Sequence, residues 1–239
     1  MKAIILSAGE GTRLKPLTES MPKVLLPING KPMIEYTISW LKNYGITEIA
    51  INLHYLGNKI VEHLLDGKRY GVKIHYSRED TLLGTSGGVK KLQSYFTETF
   101  LVVYGDVLTN FSLNEMIEFH KDMESVATLS LIEMRNRKDV GRVLTDESGR
   151  IQSFIEKPTT SKWMFGNGGI YILEPEIFNY IPDGFSDFAA DVFPNMIAQG
   201  ASVYGHLLTY STYLSDVGTI RRYYMANQDV KDGRISCCL

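Results

Sequence analysis

The sequence predicts an α/β protein: a doubly wound, mostly parallel sheet sandwiched by helices, with an irregular C-terminal lobe. Three observations predict it. The first half alternates short β-branched or apolar runs with helical patterns. The run Ala3-Ile4-Ile5-Leu6 is continuously apolar and ends at a glycine loop, as a strand buried on both faces should. Repetition of strand, helix and strand implies right-handed crossovers between parallel strands.

After that first strand, residues 31–44 place Ile34, Ile38 and Leu41 at helical spacing, with Pro32 near the start and Gly45 as the stop. A strand at 48–53, a helix around 56–65 and a strand at 72–76 follow. Residues 84–95 read as a glycine turn opening a helix, and 100–104 as the next strand. Beyond Asp106 the texture changes. Residues 112–122 read as a helix, but 126–134, 142–145, 151–155 and 165–173 read mostly as strands. Helices return at 174–180, 187–199 and 219–230. No linker, charge block or repeat interrupts the pattern, so the chain reads as one domain, 1–239, in two halves of about 1–110 and about 111–239.

Composition narrows the function classes. At 239 residues, with 44% hydrophobic and 22% charged residues, the chain can bury a sizeable core and is neither disordered nor fibrous. A net charge of -2 argues against broad binding to a nucleic-acid backbone, though not against a nucleotide. Cys237 and Cys238 are adjacent, which suits neither a disulfide staple nor a metal site, and a reducing cytoplasm is expected. No segment approaches the roughly 18 apolar residues of a membrane span. The apolar start runs at once into a charged glycine loop, so it reads as a strand and not as a signal peptide.

The most informative stretch is Leu6-Ser7-Ala8-Gly9-Glu10-Gly11-Thr12-Arg13-Leu14, continuing to Pro22-Lys23-Val24-Leu25-Leu26-Pro27. Glycines after a first strand let backbone N–H groups approach phosphates. Arg13 and Lys23 add a cationic fork and a point charge. Gly9-x-Gly11 alone would suit a tight turn with solvated charges. A dinucleotide loop wants a third glycine and an immediate helix, and a P-loop wants Gly-Lys-Ser/Thr; neither is present.

The ordered run Gly-x-Gly-Thr-Arg-Leu, then Pro-Lys-x-x-x-Pro, resembles the signature of the sugar-1-phosphate nucleotidylyltransferase family. The resemblance implies a Rossmann-like fold in which Leu6, Ser7, Ala8, Gly9, Gly11, Thr12 and Arg13 bind the nucleotide. It implies that Arg13 stabilises charge at the reacting phosphorus and that Lys23 touches the phosphates that meet there. Ser7 stands where the family usually has Ala or Gly.

Asp106 follows an apolar strand, at the carboxyl edge where open α/β sheets bind ligands. By itself such an Asp is more often a turn residue. Asp216, in Leu214-Ser215-Asp216-Val217-Gly218-Thr219, could likewise cap the following helix. The family similarly places an Asp before Gly-Thr, and the resemblance implies that Asp106 and Asp216 together bind Mg²⁺. Leu214 and Ile220 stand where the family often has Trp and Pro.

On the sugar side, Glu156-Lys157-Pro158 closes a strand. An exposed charge pair is one reading; the resemblance implies that Glu156 receives sugar hydroxyls and Lys157 grips the sugar phosphate. Asn167-Gly168-Gly169-Ile170-Tyr171 is similar to the family's Asn-x-Gly-x-Tyr strand, whose Asn faces the sugar; otherwise it is a bulged strand. Gly141 occupies the family's glycine position against the sugar ring. Leu83-Gly84-Thr85-Ser86-Gly87-Gly88 would offer free N–H groups and close access to a flat base, or simply open a helix. The resemblance gives Thr85, Gly87 and Gly88 to the nucleobase.

The expected activity is nucleotidylyl transfer from a nucleoside triphosphate to a sugar-1-phosphate. GTP is favoured, with a mannose or manno-heptose phosphate; UTP or dTTP with glucose-1-phosphate or an amino-sugar-1-phosphate is the alternative. The long C-terminal β-helix extension that some relatives carry is not in this sequence, so a minimal catalytic unit without a built-in allosteric domain is expected. A non-catalytic nucleotide-sugar sensor would have lost Arg13, Lys23 or Asp106, and a glycosyltransferase would want Asp-x-Asp where Asp106-Val107-Leu108 stands. The five histidines, His54 and His120 among them, suggest no triad. Nucleic acid and membrane are not expected partners; a homodimer is compatible with the sequence.

Overall fold

The computed structural model describes residues 1–133, 141–155, 165–209 and 211–235. In chain order these form β1 (Lys2–Leu6), β2 (Pro27–Ile28), β3 (Lys31–Pro32), α1 (Met33–Asn43), β4 (Glu48–Leu53), α2 (Gly57–Leu64) and β5 (Lys73–Arg78). Next come α3 (Gly84–Lys90), β6 (Phe100–Tyr104), β7 (Val107–Thr109), α4 (Leu113–Asp122), β8 (Ala127–Glu133), β9 (Arg142–Thr145), β10 (Ile151–Ile155) and β11 (Phe165–Leu173). The path closes with α5 (Phe193–Ala198), β12 (Val203–Leu207), β13 (Leu214–Asp216) and α6 (Ile220–Lys231). The chain divides into two compact units. The first comprises Met1–Leu82, Val103–Phe111 and Ser211–Leu239; the second, Leu83–Val102 and Ser112–Tyr210.

In the first unit the strands run in the order β1, β4, β5. β1 and β4 pair in parallel, Ala3 opposite Ile49 and Leu6 opposite Asn52, and β5 adds in parallel beyond β4. β1 and β4 are apolar along nearly their whole length, because a strand covered on both faces has no polar side to present. α1 buries Met33, Ile34, Thr37, Ile38 and Leu41, one stripe of its surface. It ends in a Schellman closure: the Ile46 N–H donates to Leu41 O at 3.1 Å and the Gly45 N–H to Lys42 O at 2.9 Å, with Gly45 at φ +74°. A second core of Ile28, Met33, Tyr36, Leu108, Val217, Ala226 and Ile235 joins α1 and α6 around β7.

The second unit holds a mixed arrangement, β10, β9, β11, β6, with β8 on β11 and β12 on β8. β8 runs antiparallel to β11 and parallel to β12. The β8–β11 register breaks between Asn167 and Tyr171, which makes the bulge that the double glycine there allows. Tyr171, Phe188 and Phe193 pack together in its core, with ring centroids 5.0 to 5.6 Å apart.

In the second unit four elements depart from the sequence reading, and in the first the short strands β2, β3, β7 and β13 were not read. The helix opening at Gly84 ends at Lys90 and not at 95. Residues 174–180 form a 3₁₀ turn, Pro175–Asn179. Residues 187–199 begin as a π-turn, Phe188–Val192, where the Val192 N–H reaches back five residues to Asp187 O at 3.2 Å. Val203–Leu207 is a strand that no pattern announced. Among the described residues no helix is long and apolar enough to cross a membrane.

Candidate active site

The glycine loop leaves β1 in the first unit. Gly11 sits at φ +65°, where a side chain would be strained, and a Cβ there would crowd Thr18 and Lys23. Its carbonyl accepts from the Leu14 N–H and the Thr18 hydroxyl, both at 2.9 Å, which folds the loop into the 3₁₀ turn Thr12–Leu14. The N–H groups of Gly9, Glu10 and Gly11 donate to no described residue, and Gly9 is exposed with open space around it. That is a cradle suited to an anion. Leu6 ends the strand, Ser7 and Ala8 are buried, and Thr12 and Arg13 are exposed.

Asp106 lies between β6 and β7, just past Gly105, whose N–H donates to Leu6 O at 2.9 Å. A Cβ on Gly105 would lie 2.6 Å from that same oxygen, so the glycine lets the strand end close on the loop. Asp216 ends β13, which pairs antiparallel with β7, Asp216 opposite Val107. The Val217 N–H donates to Asp106 O at 2.8 Å, locking the two acidic segments side by side. Asp216 does not cap the last helix; Thr219 does, accepting the Arg222 N–H at 3.3 Å.

Arg13, Lys23, Asp106 and Asp216 thus converge within the first unit. The Lys23 ammonium hydrogen-bonds and ion-pairs with Asp106 Oδ2. Arg222 Nη1 donates to Asp216 Oδ2 at 2.6 Å. Burial pushes the Asp106 carboxyl up, but the Lys23 ammonium outweighs it and holds the group below the usual carboxylate range. Asp216 goes the other way: burial, then the facing Asp106 charge, push it up to about 6, against the pull of Lys23 and Arg13.

Asp216 Oδ1 is buried with no hydrogen-bond partner among the described residues. A buried, unsatisfied carboxylate oxygen beside a second carboxylate is what a divalent cation would satisfy, so these residues fit the implied Mg²⁺. No group of three or more His, Cys, Asp or Glu able to hold a metal occurs among the described residues. Two carboxylates completed by water and phosphate oxygens is a set that Mg²⁺ accepts.

In the second unit the glycine turn is differently employed. The Thr85 N–H and hydroxyl both donate to Asp187 Oδ1, at 3.0 and 2.8 Å. The Ser86 and Gly87 N–H groups donate to Ser186 O. These donors are therefore not free, as the sequence had suggested, but bind the Ser186–Asp187 segment. A Cβ on Gly87 would lie 2.3 Å from Gly184 O, which gives that glycine a packing reason; Gly88 is buried. Gly141 and Asn167 meet, the Asn167 N–H donating to Gly141 O at 2.9 Å. The Asn167 amide braces the bulge, accepting the Gly169 N–H at 3.1 Å and donating to Tyr171 Oη at 2.7 Å. Glu156 and Lys157 lie outside the described residues.

A sequence model of the nucleotidyl transferase family matches residues 2–233. The chain belongs to the nucleotidyl transferase family. Over 96% of its length it is 34% identical to a UTP–glucose-1-phosphate uridylyltransferase of Synechocystis, and over 97% it is 31% identical to a mannose-1-phosphate guanylyltransferase of Mycobacterium tuberculosis. It spans 63% and 65% of those two proteins. Among solved structures, HddC from Yersinia pseudotuberculosis complexed with GMP-PN superposes with a TM-score of 0.81 at 26% identity, covering 96% of this chain and 99% of that one.

Sequence reasoning missed two polar groups in this member of the family. One is Arg222, for which the only signal was a pair of arginines in a first helical turn that lacks an acid. The other is Asn52, buried at the end of β4. Its Oδ1 accepts the Ser7 N–H at 2.7 Å while its Nδ2 donates to Glu79 Oε1 at 2.8 Å. A lone Asn closing an apolar strand was that signal.

Proposed function

We propose that the chain transfers a nucleotidyl group from a nucleoside triphosphate to a sugar-1-phosphate, giving a nucleotide-sugar and pyrophosphate in the cytoplasm. The observation that carries this reading is the convergence of Arg13, Lys23, Asp106 and Asp216 beside a loop with open N–H donors. The incoming sugar phosphate is already ionised, so no general base or covalent nucleophile is needed. Its oxygen attacks the α-phosphorus, and the bond to the pyrophosphate oxygen breaks. The chain's task is to align two anions and neutralise the charge that develops.

Arg13 and Lys23 are assigned to the phosphates, and Gly9, Gly11 and Thr12 to the cradle, with Leu6, Ser7 and Ala8 behind it. Mg²⁺, held by Asp106 and Asp216, would supply Lewis acidity and charge neutralisation. Lys23 contacts Asp106 directly, so an arriving phosphate competes for that ammonium with the carboxylate. From the sequence alone, Glu156 and Lys157 are assigned to the sugar phosphate, Gly141 and Asn167 to the sugar, and Thr85, Gly87 and Gly88 to the base.

GTP with a mannose or manno-heptose phosphate is our first reading. The M. tuberculosis relative is named for mannose-1-phosphate and guanylyl transfer, and HddC was crystallised with GMP-PN. The Synechocystis relative favours UTP with glucose-1-phosphate as the second. Pyrophosphate release decides, measured across four nucleoside triphosphates and a panel of sugar-1-phosphates with and without EDTA. Release that needs one triphosphate, one sugar phosphate and a divalent metal is expected. Silence across the panel, with a nucleotide-sugar still bound tightly, would replace the enzyme by a sensor.

A further inference from the structure

We infer that Arg222 is a positioning residue for the metal pair: it holds one oxygen of Asp216 so that the carboxylate offers only Oδ1 to a divalent cation. The inference rests on the metal-binding reading above and extends it to a side chain outside every motif read from the sequence. Arg222 Nη1 donates to Asp216 Oδ2 at 2.6 Å and also approaches the Asp216 carbonyl at 3.4 Å. The two side chains are only 17% and 26% exposed, so water screens this charge-assisted bond weakly. The other oxygen, Oδ1, is buried with no hydrogen-bond partner among the described residues. One carboxylate therefore carries one oxygen tied to a guanidinium and one left for a ligand.

The placement of Arg222 argues that the pairing is built and not incidental. It occupies the first turn of α6, the positive end of the helix, where a cation is disfavoured and where no acid is present to compensate. Its backbone is fixed there by the Thr219 cap. A Cβ on Gly218 would lie 2.5 Å from Oδ1, so the glycine keeps the space at that oxygen clear. Without the guanidinium, the hydrogen bond that fixes the Asp216 carboxylate is lost, and its approach to a cation would no longer be set. Carboxylates that bind metals depend in this way on outer partners, whose loss costs about 10- to 100-fold in metal affinity.

Mn²⁺ binding to the full chain, read from the free-ion signal by electron paramagnetic resonance, tests the inference without turnover. Wild type is compared with Arg222→Gln, Arg222→Lys and Asp216→Asn, each checked for folding by its melting midpoint. Arg222→Gln should weaken Mn²⁺ binding about 10- to 100-fold, and Arg222→Lys, which keeps a cation and a donor, should recover most of that loss. Should the Gln variant not fold, Arg222→Met in its place carries the same expectation. Wild-type affinity in the neutral variants, with binding abolished by Asp216→Asn, overturns the role of Arg222 and leaves the metal pair standing. Wild-type affinity in Asp216→Asn, or no Mn²⁺ binding by the wild type, removes the metal pair and this inference with it.

Discussion

Gly218→Ala isolates the geometry of the charged cluster from the stability of the fold. The added methyl would lie 2.5 Å from Asp216 Oδ1 and 3.1 Å from Arg13 Nη2. A carbon and an oxygen rarely approach closer than about 3 Å, so the carboxylate would retreat by about half an ångström, which is the whole tolerance of a working site. Displacements of order 1 Å cost about 100-fold in rate, so for half an ångström we expect kcat to fall by roughly 10-fold. The fold should survive. The φ of Gly218 lies outside the left-handed range, so alanine is allowed there. The crowding against Oδ1 then costs about 1–3 kcal/mol at most, offset in part by the restricted unfolded chain. Steady-state pyrophosphate release and a melting curve on one preparation check both halves. A folded variant that turns over like wild type would refute the claim that Asp216 and Arg13 close on the reacting groups at this point. A variant that loses activity only because it unfolds would refute the separation of site from scaffold.

Asp106→Asn should nearly abolish turnover with little change in melting midpoint; unchanged activity at saturating Mg²⁺ would remove Asp106 from the metal pair. Arg13→Ala should lower kcat more than it raises KM for the triphosphate, and a change in KM alone would make Arg13 a ground-state binder. Asp216 gives a pH signature in the metal-free chain. Its folded value, about 6, is above the ordinary 3.8, so the folded state holds the extra proton between them. The stability this contributes is complete below about 3.8 and is lost as pH rises through about 6. Melting midpoints from pH 3.5 to 7.5 should show that loss in wild type but not in Asp216→Asn, and parallel profiles would contradict it. Asn52→Ala leaves the buried Ser7 N–H without its acceptor, at a cost of about 1–3 kcal/mol. We expect a raised KM for the triphosphate in that variant, and an unchanged KM would sever Asn52 from the loop.

Much of the architecture was legible because its strands are apolar runs cut by turns. The spans 48–53, 100–104, 142–145, 151–155 and 165–173 were read with the bounds they have. Val203–Leu207 was not, since Gly205 and His206 dilute its pattern and its pairing with β8 is a long-range contact. The helix at Gly84 fell short for a related reason: its first turn is held by Ser186 and Asp187, about a hundred residues away, and not by its own periodicity. The charged cluster was legible only where a residue stood in a spaced motif, as Arg13, Lys23, Asp106 and Asp216 do. Arg222 and Asn52 belong to no motif. Each is ordinary in its own segment and acquires meaning only from the atom it meets.

The first unit is discontinuous, made of residues 1–82, 103–111 and 211–239. During synthesis Arg13, Lys23 and Asp106 emerge early, yet their apolar support is incomplete until Val217, Ala226 and Ile235 arrive to join Ile28, Met33, Tyr36 and Leu108. Asp216 comes in on that same late segment, through β13 and the Val217 hydrogen bond to Asp106. The segment from residue 211 thus carries both the missing part of a core and the second carboxylate. A chain stopped short of residue 211 would own three of the four charged groups, with Lys23 still able to reach Asp106, but would lack both the second carboxylate and the packing behind it.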